Sequence, residues 1–155
     1  MVRYIALCMV VLWSAAWAMA GENAASHPAP NVDAIINDFR TRLGIAEPVQ
    51  SFIVEEDELL VSVRRLTSTV EKVFLIQFER EFLSNLNEEE LRAVVAHELG
   101  HVWIFTHHPF LQTEALANKK AMELVSRDIL VRVYEKVWQR GGKKGNLEDF
   151  LARVD

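Results

Sequence analysis

The sequence predicts an α+β domain with a small, mainly antiparallel sheet. Two observations predict it. Three β-rich runs lie close together between residues 51 and 79, and helical periodicity precedes them and dominates the chain beyond residue 79. With 155 residues there is room for one core but not for two. Half the residues are hydrophobic, which excludes a disordered or collagen-like chain. A formal charge of −5 argues against a nucleic-acid partner, which would need a clustered basic face. The single Cys cannot build an internal disulfide framework.

Taken in order, residues 1–20 read as a signal peptide. Arg3 supplies a basic start, residues 5–20 hold one polar residue (Ser14), and Ala18-Met19-Ala20 is the small-x-small pattern a signal peptidase accepts. The apolar run is shorter than the roughly twenty residues a spanning helix needs. The expectation is therefore export to the periplasm or beyond, with no stable membrane insertion after cleavage. Residues 21–30 are small, polar and Pro-rich, a linker, and residues 31–155 form the domain.

Within the domain, Val32, Ile35, Ile36, Phe39 and Leu43 recur at helical steps, and Gly44 suits the position just past a helix end. Residues 51–56 and 59–65 are β-rich runs flanking an acidic Glu56-Asp57-Glu58 turn, which predicts a hairpin. Residues 70–79 form the most strand-like run. Phe82, Leu83 and Leu86 then predict a short helical turn. Asn87 with Glu90 resembles a capping box, and three successive glutamates suit the N-terminus of the next helix. This helix should run to about Thr106, with Pro109 marking its break. Another should run from near Thr113 to Arg140, ended by Gly141-Gly142. Residues 143–145 read as a basic joint and 146–154 as a last amphipathic turn or two.

The chemistry is concentrated at His97-Glu98-Leu99-Gly100-His101, an H-E-x-x-H motif on the first long helix. At about 100° per residue, two histidines four apart sit about 40° from one another, one turn above the other. That arrangement lets both imidazoles bind one Zn²⁺. Glu98 is turned away from them, suited to take a proton from a metal-activated water rather than to ligate. Gly100, unfavourable inside a helix, would be explained by close approach of another element.

A catalytic zinc usually has three protein ligands. His107 has the metzincin spacing, but Ile104 stands where that turn needs Gly, and continued helix would carry His107 away. Glu114 is the stronger candidate. It opens the next helix above Ala117 and Ala121, whose small side chains permit close helix packing.

The run from Leu86 to His101, preceded by a strand, resembles the gluzincin metallopeptidases. It is most similar to the CAAX-protease-type endopeptidases and their soluble periplasmic relatives, and also to ImmA-type peptidases. Glu114-Ala115-Leu116-Ala117-Asn118 matches their second motif, E-x-x-A-[DN]. The resemblance implies a minimal zincin-like domain, with an active-site helix followed by a ligand-bearing helix. It also implies one Zn²⁺ per chain on His97, His101 and Glu114, and Asn118 holding a zinc histidine. Residues 70–79 would be the edge strand that binds substrate. The implied activity is hydrolysis of peptide bonds in a peptide or protein substrate by a zinc-activated water, with Glu98 as general base and then acid. The resemblance further implies a cationic or phenolic oxyanion group, for which His107, His108, Arg127, Arg132 and Tyr134 are the candidates. The alternative is a zinc-stabilised binding or chaperone-like module of the cell envelope without useful turnover.

Overall fold

The computed structural model describes residues 31–67 and 72–141. They form α1 (Val32–Arg42), β1 (Val49–Val54), β2 (Val61–Thr67), β3 (Lys72–Glu79), α2 (Arg80–Ser84), α3 (Glu88–His107), α4 (Glu114–Ala121) and α5 (Arg127–Gly141). The expected signal peptide, linker, basic joint and final turn lie outside the described residues. Among the described residues, no helix is long and apolar enough to cross a membrane.

Local chemistry accounts for the helix ends. The Asn31 side chain accepts from the Ala34 amide at 3.0 Å to start α1. Gly44 adopts a φ of 69° just past its end, a conformation that disfavours side chains. The capping box of α3 is complete: Glu90 N–H donates to Asn87 Oδ1, and Asn87 N–H donates to Glu90 Oε2, each at 2.9 Å. Glu90 also accepts from Lys136 of α5 at 2.6 Å, so the cap ties two helices together.

The α+β class holds, but the strand pairing differs from the expectation. The sheet order is β1-β3-β2. Strand β1 pairs parallel with β3, and β2 pairs antiparallel with it, so the sheet is evenly mixed. The expected hairpin of residues 51–56 with 59–65 does not form. Residues 70–79, expected at the edge, contain the central strand β3. The reason is burial. Phe74, Ile76 and Phe78 alternate along β3 and are at most 1% exposed, so the strand carrying them takes the covered centre. The acidic turn instead carries the chain from one side of β3 to the other. Asp57 anchors that crossing by accepting from Leu59 N–H, Ser62 Oγ–H and Gln77 Nε2–H, the last from β3 itself.

The long helix expected from Thr113 to Arg140 is broken into α4 and α5 by residues 122–126. No Gly or Pro marks this break. Helix α5 restarts at Ser126, whose carbonyl accepts from Leu130 N–H. One face of α5, with Leu130, Val133 and Tyr134, then joins the same core as α1, the sheet and α3.

Candidate metal centre

Helix α3 brings His97 and His101 to one face, and α4 lies across that face at Gly100. A Cβ on Gly100 would strike the Ala117 carbonyl oxygen and come within 3.0 Å of Ala117 Cα. Glycine therefore permits the backbone approach that puts Glu114, at the start of α4, beside both imidazoles. Thr113 caps this helix, its Oγ1 accepting from Leu116 N–H at 3.2 Å.

The three side chains converge. His97 Nε2 is 3.2 Å from Glu114 Oε2, His101 Nε2 is 3.4 Å from Glu114 Oε1, and the two Nε2 atoms are 3.1 Å apart. A tetrahedral zinc with bonds of about 2.0–2.1 Å needs ligand atoms about 3.3 Å apart. The donor set and its spacing thus fit a metal ion. No other such group of three or more His, Cys, Asp or Glu occurs among the described residues.

Electrostatics follow from this crowding. The His101 ring and then the His97 ring beside it hold the Glu114 carboxyl far below the usual range, against burial, which works to raise it. Burial works to lower His101, but its bond to Glu114 and the charges of Glu98 and Glu114 outweigh that and raise it. Glu98 lies next to the cluster at 8% exposure. Burial pushes its carboxyl up, against the pull of His97 and His101.

Each histidine is also held from behind. His97 Nδ1 is 2.8 Å from Asn118 Oδ1 and 3.1 Å from the Tyr134 hydroxyl. His101 Nδ1 is 3.3 Å from Gln112 Oε1, and Gln112 Nε2 donates to the His101 carbonyl at 3.4 Å. Sequence reasoning did not single out Gln112. Its place two residues before Glu114, in the short connection between the two site helices, was the available signal.

His107 stays on α3, which continues through Ile104 without a turn. Its ring stacks on Trp103, centroids 4.5 Å apart, outside the cluster. Of the oxyanion candidates, His107, His108, Arg127 and Arg132 are exposed, and Arg132 pairs with Glu89 at 3.1 Å. Tyr134 alone of the five lines the cleft. Its hydroxyl donates to Asn118 Oδ1 at 2.7 Å, behind the His97 ring rather than on the Nε2 side.

The cleft over the cluster is about 530 Å³. Val61 and Val63 of β2 form one wall, Ala93 and Val94 of α3 the floor, and Val133 and Val137 of α5 the far side. Among the described residues β2 has a strand neighbour on one side only. The edge strand at the cleft is therefore β2, not the run 70–79.

Fold and cluster together define a small α+β domain built to hold a metal ion at the floor of an open cleft. The model of peptidase family M48 matches residues 69–153, more than half of the chain, and the chain belongs to that family. It is thereby a metallopeptidase, whose substrates are peptides or proteins. An uncharacterised protein of Aquifex aeolicus, aq_aa15, is 27% identical over 112 residues, covering 70% of this chain and 88% of that one. Two solved metallopeptidase zymogens share the fold. Abylysin of Pyrococcus abyssi has a TM-score of 0.51 at 16% identity, covering 74% of this chain and 99% of its own. Jannalysin of Methanocaldococcus jannaschii has a TM-score of 0.51 at 19% identity, covering 71% and 96%.

Proposed function

We propose that this protein is a zinc-dependent endopeptidase, with His97, His101 and Glu114 as ligands and Glu98 as the proton carrier. The observation that carries the reading is the spacing of the three ligand atoms, with a buried glutamate beside them at the floor of a cleft walled by an edge strand. Zinc held by these residues would supply Lewis acidity, lowering the pKa of water towards neutrality and polarising a carbonyl.

The chain's own residues do the rest. An extended peptide pairs with the free edge of β2, which sets its scissile carbonyl above the three ligands. The Glu98 carboxylate accepts the proton of the attacking water. It then gives that proton to the departing amine. The walls from β2, α3 and α5 are apolar and suit the apolar side chains of a peptide.

Cleavage of a peptide library by the full chain, with metal analysis of three variants, tests this reading. Glu98→Gln should keep zinc and lose cleavage by a hundredfold or more, on the order expected for a general base. Glu114→Ala should lose most zinc, and His107→Ala should keep about one per chain. A wild type that cleaves nothing, or an active Glu98→Gln, would return the protein to the alternative of a zinc-stabilised binding module. Zinc lost from the His107 variant but kept by the Glu114 variant would reject the ligand set.

Residues 1–20 support a second proposal, that the protein is exported and begins at Gly21 after cleavage. N-terminal sequencing checks it, and an intact Met1 on membrane-bound protein would indicate an anchor instead.

A further inference from the structure

We propose that Tyr134 is a positioning residue of the metal centre, whose hydroxyl locks Asn118 and His97 so that His97 presents Nε2 to the ion. This rests on the ligand assignment above and extends it to a residue outside both sequence motifs.

Three polar groups from three helices meet behind the His97 ring. Tyr134 Oη–H donates to Asn118 Oδ1 at 2.7 Å, and His97 Nδ1 faces Asn118 Oδ1 at 2.8 Å and Tyr134 Oη at 3.1 Å. A carbonyl oxygen only accepts, and a phenol at neutral pH has one proton to give. With that proton spent on Asn118, both oxygens facing Nδ1 are acceptors. Nδ1 is then the ring's donor, and the Nε2 lone pair is left for a metal.

The hydroxyl also fixes which way Asn118 faces. Were the amide turned over, its NH₂ would point at Nδ1 and drive the histidine proton to Nε2, where a metal must bind. In that orientation the phenol would lose the acceptor it now has. Asn118 is fully buried and Tyr134 is 7% exposed, so bulk water does not readily replace either bond. The Tyr134 ring stands edge-on to the His97 ring, centroids 5.9 Å apart, and limits its rotation. The ring alone would serve packing. The hydroxyl adds what the ring cannot, a second acceptor facing Nδ1 and a donor that orients Asn118.

Tyr134→Phe in the full chain separates the two roles, because it keeps the ring. Its zinc affinity, read by competition with a chromophoric chelator, should fall about tenfold, the low end of losses from groups that orient a ligand. Peptide cleavage should fall at limiting zinc and recover at saturating zinc, with KM nearly unchanged and a melting curve close to wild type. Proton NMR of the zinc-loaded wild type should show a His97 Nδ1 proton in slow exchange with water and close to the Tyr134 ring. In Tyr134→Phe that exchange should accelerate. A folded Tyr134→Phe with wild-type zinc affinity would overturn the role of Tyr134 alone, and a wild type that binds no zinc would overturn it together with the ligand assignment. Should the variant not fold, the wild-type measurement still decides: a fast-exchanging Nδ1 proton rejects the proposal.

Discussion

His97 and His101 lie one turn apart on the same helix and face the same carboxylate, yet they are supported differently. Behind His97 stand Asn118 and Tyr134, buried groups on α4 and α5, with contacts of 2.7 to 3.1 Å. Behind His101 stands Gln112, an exposed residue of the α3–α4 connection, with contacts of 3.3 and 3.4 Å. A buried hydrogen bond faces little competition from water, whereas an exposed one is continually exchanged for it. His97 is therefore the fixed member of the pair and His101 the adjustable one.

The largest expected effect comes from Gly100→Ala, which abolishes the difference between the two histidines altogether. It puts a methyl group into the Ala117 backbone, which has no flexible side chain to yield. Helices α3 and α4 must separate, at a cost of about 3 kcal/mol, the upper part of the overpacking range. Both histidines should lose Glu114 together, so stability in denaturant unfolding and zinc stoichiometry should fall in the same variant.

Asn118→Ala should come next. It removes the carbonyl that both the Tyr134 hydroxyl and His97 Nδ1 face, at a cost of about 2 kcal/mol. Zinc affinity should also fall by about tenfold to a hundredfold in chelator competition. A smaller loss than that of Gln112→Ala would reverse the assignment of fixed and adjustable members.

Glu90 controls for loss of the fold as distinct from loss of the site, since it stabilises α3 at the far end of the helix. Burial works to raise its carboxyl, but the Lys136 hydrogen bond and the Asn87 backbone bond outweigh that and hold it below the ordinary 4.5. A depressed carboxyl contributes stability above its unfolded value, and that contribution is lost as pH falls from about 4.5 through the folded value. Glu90→Gln should therefore cost about 1.5 kcal/mol at neutral pH and flatten the acid limb of the stability profile. Zinc affinity per folded molecule should not change.

The smallest effect is expected for Gln112→Ala, about 0.5 kcal/mol in stability because water takes the place of an exposed side chain. Its zinc affinity should drop less than that of Asn118→Ala. The same chelator titration compares the two directly.

Local pattern alone determined much of this protein. The capping residues Asn31 and Asn87, the left-handed Gly44, the short turn around Phe82 and the span of α3 all express interactions within a few residues of one another. The same is true of His97 and His101, whose shared face follows from helical pitch. Ile104 likewise foretold that α3 would run past the metzincin turn position, and Gly100 that something would approach. Other features depended on partners distant in sequence. Strand order was decided by which run could bury Phe74, Ile76 and Phe78, so β3 took the centre and β2 the cleft edge. The break between α4 and α5 lies in residues 122–126, where no Gly or Pro marks it, and it became visible only once α5 had to turn its Leu130 face to the core. Tyr134 and Gln112 acquired their places behind the two histidines in the same way. Backbone hydrogen bonding within one helix is set by adjacent residues, whereas burial and side-chain pairing depend on which surfaces the whole chain brings together.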